Sequence, residues 1–336
     1  MNEYKYDQPF VLESGAVLNG ITIAYHTWGN LNATADNVIW ICHALTANSN
    51  PAEWWPGMIG EGLILDPKKY FIICANIIGS CYGSTGPLSI DAATGKPYYH
   101  EFPMVTVRDM VKAHILLRDH LLIKSIHTLV GGSMGGYQAL EWCVQEKNAI
   151  RQLVLVVTSS KESAWGIAIH TAQRLAIEAD VTWNKPVANA GKKGLIAARA
   201  FGMVTYRNYQ AYNATQTDFE FEKIDDYKAS SYITYQGNKL ANRFNAYSYW
   251  LLTKSMDSHN IARGRAEKVE EVLKEIEQRT IVVGIKSDFL CPLQEQEHLA
   301  THIPHAKFFQ IDSAYGHDGF LVETKQITNI LKSFID

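Results

Sequence analysis

The sequence predicts an α/β protein: a mostly parallel sheet flanked by helices, with one inserted helical segment. Three observations predict it. Short apolar runs alternate with helix signals through the first half of the chain. A serine flanked by glycines stands where one such run gives way to a helix. The strand pattern stops after Thr158 and returns only at Thr280.

Residues 21–26 read as an early strand, and residues 38–42 and 70–75 as short buried ones, the last followed by a glycine-rich stretch at 79–86. Thr106-Val107-Arg108-Asp109 has the spacing of a capping box with Asp in the place of Glu, so a helix opens there. Met110, His114, Leu117 and Leu121 give that helix one apolar face. Residues 125–130 form the next strand, 134–145 a helix and 153–157 another strand. Such alternation builds a parallel sheet covered on both faces. Helical signals then dominate over 163–180, 191–205, 242–256 and 265–277. Strands return at 280–285 and 307–311, before a closing helix over 320–334. The expected organisation is a core of residues 1–160 and 280–336 with a helical cap, or lid, of residues 161–279.

With 336 residues, 47% of them hydrophobic, the chain can bury a sizeable core. A formal net charge of −3 excludes the basic footprint of a nucleic-acid or anionic-membrane binder. The first ten residues lack the basic start and apolar stretch of a signal peptide. No run approaches the roughly 18 apolar residues of a membrane span. A cytoplasmic protein acting on small molecules is expected. The cysteines, Cys42, Cys74, Cys81, Cys143 and Cys291, are odd in number, and several fall in apolar runs, so they read as reduced, buried thiols.

Gly131-Gly132-Ser133-Met134-Gly135 fits G-x-S-x-G directly after a strand and directly before a helix. That is the setting of a nucleophile elbow, in which glycines let the backbone turn sharply and the serine hydroxyl projects above the sheet edge. A hydroxyl needs a base, and the base an orienting carboxylate. On this architecture the chain order is serine, acid, histidine. Asp288 follows the strand at 280–285 and His317 follows the strand at 307–311, each where the order demands it. Ser133, Asp288 and His317 are therefore the expected catalytic residues, and the fold is that of an α/β-hydrolase. The oxyanion hole takes the amide of Met134, next after the serine, and that of Leu45 in the loop after residues 38–42. His43 is expected to support that loop.

Several segments resemble the homoserine O-acetyltransferase family. They are His43-Ala44-Leu45-Thr46, Gly83-Ser84-Thr85-Gly86-Pro87, Phe102-Pro103-x-x-Thr106-x-Arg108-Asp109-Met110-Val111 and the elbow through Gly136. Leu252-Thr253-x-x-Met256-Asp257 and Gly316-His317-Asp318-Gly319-Phe320-Leu321 complete the set, which runs from about residue 10 to the C-terminus. The resemblance implies acyl transfer from acyl-coenzyme A, acetyl-coenzyme A first among donors, to the hydroxyl of L-homoserine on the way to methionine. It implies no permanently bound cofactor, no metal, and a homodimer built through the helical cap. Carried over residue by residue, it also implies that Arg207 of Tyr206-Arg207 binds the amino-acid carboxylate and that Asp318 meets the ammonium. The chain departs from the family pattern at Ala47-Asn48-Ser49, where glycine and an acid are common, and at Asn245, where many members carry an acid. A succinyl donor, a serine acceptor, or water as acceptor in an esterase are the alternatives on the same scaffold.

Three further features carry less. His298-Leu299-Ala300-Thr301-His302 puts two imidazoles on one helix face but lacks the Glu of H-E-x-x-H, and reads as a solvated face rather than a metal pair. The stretch 79–86 lacks phosphate-loop spacing and reads as a structural loop near the site. Trp54-Trp55 serves either as a pocket wall or as plain packing.

Overall fold

The computed structural model describes residues 1–335. Eight strands form one sheet in the order β1-β2-β4-β3-β5-β6-β7-β8. β1 (Asn2–Val11) and β2 (Val17–Trp28) pair antiparallel, and β2 joins β4 (Phe71–Ala75) antiparallel. From β4 onward, β3 (Val38–Cys42), β5 (Ile126–Gly132), β6 (Ile150–Val156), β7 (Arg279–Ile285) and β8 (Ala306–Ile311) run parallel. β3 is buried on both faces, and its side chains divide by the period of two. Trp40 packs edge-on to Trp142 with ring centroids 4.9 Å apart on one side, while Ile39 and Ile41 join Val130 and Val154 on the other.

The helices of the first half are α1 (Pro51–Trp54), α2 (Val107–His120) and α3 (Met134–Gln145). The capping box at α2 forms as its residues predict: Thr106 accepts from the Asp109 amide, and the Asp109 carboxylate accepts from the Thr106 amide at 2.8 Å. The Asp109 carboxylate also takes the Glu13 amide at 2.7 Å, which ties the β1–β2 edge to the helix.

Between β6 and β7, which are neighbours in the sheet, the chain makes α4 (Ala164–Glu178), α5 (Lys192–Tyr206), α6 (Tyr209–Gln216), α7 (Lys228–Ala241), α8 (Ala246–Asp257) and α9 (Val269–Leu273). α10 (Leu293–His302), α11 (Gly319–Val322) and α12 (Thr324–Ile335) complete the fold.

The fold differs from the sequence expectation in four places. β1 is an edge strand exposed along most of its length, so Lys5, Asp7 and Pro9 replace the apolar signal that marks a buried strand. α6 and α7 escape the pattern because α7 is rich in Ser, Tyr and Thr; it closes onto α5 where Gly237 leaves no Cβ to meet the Ile196 carbonyl. The segment 265–277 holds only the five-residue α9. The closing helix is broken at Glu323, whose φ/ψ of −82° and 41° leaves the helical region.

The sheet positions the site through one crowded crossing. A Cβ on Gly135, in the first turn of α3, would lie 2.0 Å from the Cys42 carbonyl oxygen at the end of β3. Only glycine lets α3 start this close to the neighbouring strand. Gly135→Ala is predicted to push α3 off β3 and destabilise the fold by about 1–3 kcal/mol. Thermal denaturation reads the loss, and an unchanged midpoint would show that the crossing tolerates a methyl.

Candidate active site

Ser133 sits between β5 and α3 with φ 53° and ψ −126°, backbone that a non-glycine residue holds at a cost of about 1–3 kcal/mol. The surroundings fix it. Its amide donates to the Val156 carbonyl at 2.9 Å, and its carbonyl accepts from the Gly136 amide at 2.8 Å and the Thr158 hydroxyl at 2.9 Å. The hydroxyl is thereby aimed away from the sheet toward the loops at the C-terminal ends of the parallel strands.

His317 lies in the 3-10 turn Gly316–Asp318 after β8, and Asp288 in the loop after β7. Gly316 has φ 60° and packs against the backbone of Tyr206 and Arg207, where a Cβ would come within 3.0 Å of the Tyr206 carbonyl oxygen. The His317 Nε2 is 2.8 Å from Ser133 Oγ, and its Nδ1 is 2.7 Å from Asp288 Oδ2. The other carboxylate oxygen of Asp288 accepts the amides of Leu290 and Cys291, both at 2.9 Å. The structure thus joins all three sequence-predicted residues in one hydrogen-bonded chain, with Asp288 and His317 both buried.

Burial disfavours the imidazolium of His317, but the Asp288 charge and hydrogen bond, aided by Asp318 and Glu162, outweigh it and raise the pKa above the usual histidine value. His43 shows the opposite case. Fully buried without a carboxylate, it is pushed down to about 4. Its Nδ1 donates to the Ala44 carbonyl and its Nε2 accepts from the Ile77 amide, so it braces the loop after β3 as a neutral ring.

That loop brings Leu45 to the cavity that holds Ser133. Met134 opens α3, so its amide has no intrahelical acceptor and the helix dipole favours negative charge beside it. The cavity is about 160 Å³ and is lined by Ser133, His317, Leu45, Tyr206 and Asp318, among others. Trp54 lines it as well. The two tryptophans divide the roles the sequence left open: Trp55 is buried and donates to the Phe320 carbonyl at 2.9 Å. A larger, apolar groove of about 1190 Å³ nearby contains none of the three chain members.

Arg207 is placed differently from its expectation. It does not line the cavity. Its guanidinium lies 4.9 Å from the centre of the Tyr315 ring, and its Nε is 3.1 Å from Asp318 Oδ2. One residue past Tyr206, Arg207 is the C-cap of α5, where φ −104° and ψ 176° turn the chain out of the helix. The arginine that does reach the cavity from α5 is Arg199, seven residues before Tyr206 and so on the same helix face. Its guanidinium is 5.1 Å from the Tyr206 ring centre, and among the described residues no carboxylate pairs with it. Helical spacing from Tyr206 is the sequence signal that finds it.

His170 and Gln173, three apart on α4, line the same cavity. His170 Nδ1 is 2.8 Å from Asp257, which also takes Arg174 at 2.6 Å. Arg243 reaches in from the connection between α7 and α8 but is already engaged: it donates to the Thr46 carbonyl at 2.6 Å and to the Tyr82 hydroxyl. Asn245 caps α8 by accepting the Ser248 amide, a task an acid performs equally well. All five cysteines are free thiols, with Cys81 half-buried and the others buried. His298 is held by Glu270 at 2.8 Å, and among the described residues no cluster of three or more potential metal ligands occurs. Nor is any described helix long and apolar enough to cross a membrane.

The fold and this site define the class. A family model described as the alpha/beta hydrolase fold matches residues 37–324. Among curated proteins, a homoserine O-acetyltransferase of Cyclobacterium marinum is 48% identical over 323 residues, covering 96% of this chain and 92% of the relative. Among solved structures, a homoserine O-acetyltransferase from Bacillus anthracis superposes with a TM-score of 0.92 at 24% identity, covering 100% of this chain and 97% of that one. Esterase E22 superposes with a TM-score of 0.91 at 20% identity over the whole of both chains, so shape alone does not separate transfer from hydrolysis. Sequence does. The chain belongs to the homoserine O-acetyltransferase family.

The raised pKa of His317 has a kinetic consequence. If His317 is the base, its ring must be neutral to accept the serine proton, and acylation of Ser133 should be lost as pH falls through a midpoint above the ordinary histidine value of about 6.5. Asp288→Asn removes the leading cause of the elevation. Its midpoint should fall below that of the parent, with a plateau lower by roughly 10³–10⁴-fold. Burst kinetics with an activated acetyl ester across pH measure both; coincident midpoints would show that Asp288 does not set the midpoint.

Proposed function

We propose that the chain moves an acetyl group from acetyl-coenzyme A to the hydroxyl of L-homoserine through an acyl-enzyme on Ser133, a step of methionine biosynthesis. The observation that carries the reading is the unbroken chain from Asp288 through His317 to Ser133, opening into a cavity that also holds an unpaired arginine. Water needs no cation to recognise it; an amino acid does.

His317 takes the proton of Ser133 as its oxygen attacks the thioester carbonyl. The carbonyl oxygen becomes an oxyanion against the amides of Leu45 and Met134. On collapse the carbon–sulfur bond breaks, and His317 gives its proton to the departing coenzyme A thiolate. The acceptor hydroxyl then occupies the same station. His317 removes its proton, the oxygen attacks the Ser133 ester, and Ser133 leaves with that proton returned. Asp288 holds the tautomer and steadies the imidazolium.

Asp318, beside the base and on the cavity wall, is suited to the acceptor ammonium, and Arg199 across Tyr206 to its carboxylate. Arg207 then serves by holding Asp318 in place. The helices of residues 161–279 act as a lid that limits water. Their outer surface, with Tyr209, Phe219, Phe221 and Ile224 all more than three-quarters exposed, is suited to a homodimer. Coenzyme A thioesters as substrate fit a cytoplasmic enzyme.

A matrix of acetyl- and succinyl-coenzyme A against L-homoserine, L-serine and water tests the reading. Acetyl-coenzyme A with homoserine should turn over fastest, with parallel double-reciprocal lines. Coenzyme A release at one rate with and without every amino acid would instead make the protein a hydrolase. Arg199→Ala should lower kcat/KM for homoserine by about 2–4 kcal/mol, roughly 30- to 1,000-fold, and Arg207→Ala should cost less. The reverse order would return the carboxylate to Arg207.

A further inference from the structure

Gln173 presents a paradox. It sits in mid-helix on α4, is 1% exposed, and lines the cavity of Ser133, yet neither its amide nitrogen nor its amide oxygen has a hydrogen-bond partner. Buried side-chain amides are ordinarily satisfied, because an unmet donor or acceptor forfeits its hydration. Turning the amide over changes nothing, since both ends are orphaned. The facing helix makes room for the amide: a Cβ on Gly202 of α5 would come within 2.9 Å of the Gln173 nitrogen.

One neighbour shares the condition. Arg199 has no partner for its Nε. Gln173 and Tyr206 both border the space over Gly202, and the Tyr206 ring centre lies 6.1 Å from that of His317 and 5.1 Å from the Arg199 guanidinium. The base, a cation and an unfilled amide thus gather round one cavity.

We infer that Gln173 is a specificity-determining residue that reads the polar head of the acyl acceptor, its amide hydrogens donating to the α-carboxylate that Arg199 attracts and its oxygen accepting from the ammonium. This rests on the acyltransferase reading and names the residue that makes it selective for a zwitterionic alcohol. The acetyl group offers no competing claim on this corner. Its methyl has no polar atom, and its carbonyl is assigned to the amides of Leu45 and Met134. A carboxamide is the side chain suited to both charges at once, for it donates and accepts from adjacent atoms without adding a charge of its own. An apolar alcohol of similar length would leave Gln173 as unsatisfied as it is now.

The test compares two acceptors with acetyl-coenzyme A on the full-length protein: L-homoserine and n-butanol, a primary alcohol without the charged head. The parent should prefer homoserine strongly. Gln173→Leu should reduce the homoserine-to-butanol ratio of kcat/KM by roughly tenfold or more, as expected when a site built to hydrogen-bond loses its partner. Gln173→Glu keeps the size and shape of the side chain, so it also serves if the leucine variant folds poorly. It should reduce the ratio too, because its charge repels the carboxylate and claims Arg199. A ratio unchanged in the glutamate variant, or both acceptors slowed alike, would overturn the inference and leave Gln173 a packing residue. A parent protein that transfers acetyl to neither acceptor would remove the underlying acyltransferase reading instead.

Discussion

The site depends on one strained residue held in place by a crowd. Ser133 keeps left-handed backbone only because β6 takes its amide, Thr158 and Gly136 take its carbonyl, and Gly135 lets α3 press on the end of β3. Each contact comes from a different element, so no single local preference selects the turn. The sheet supplies the energy and the turn stores part of it as aim. The hydroxyl, the first amides of α3 and the loop after β3 consequently meet at one point without further adjustment, which is what preorganised catalysis requires.

From that point the molecule divides its labour. Asp288 and His317 come from loops at the C-terminal ends of β7 and β8, rigidly tied to the same sheet as Ser133. Arg199, Tyr206 and Gln173 come from α4 and α5, helices inserted between two adjacent strands. In our reading the acyl chemistry belongs to the core and the choice of acceptor to the insertion. A neighbour such as esterase E22 shares the whole outline at 20% identity, so the fold alone does not fix what receives the acyl group.

The legible parts of the sequence were those governed by short-range rules. The buried strands, the capping box of α2 and the elbow each announce themselves within a few residues, and the serine–acid–histidine order follows from strand counting. β1 was hidden because an exposed edge strand carries charges where a buried one carries valines. α7 was hidden because it is held by Gly237 against α5 rather than by helix-forming residues. Arg207 lies off the cavity lining because the chain leaves α5 at its extended C-cap, whereas Arg199, seven residues before Tyr206, shares that residue's helix face. Gln173 gives no sequence signal at all. Its interest lies in what it fails to touch, which only the packed structure reveals.

The central claim is that an acetyl group rests on Ser133 between donor and acceptor. Mixing the protein with acetyl-coenzyme A alone, quenching, and weighing the intact chain tests it most directly. The account predicts one added acetyl mass, mapped to the peptide containing Ser133, absent from Ser133→Ala, and discharged faster by L-homoserine than by water. An adduct on Cys81 or Cys291, or turnover with no adduct at any time, would contradict it.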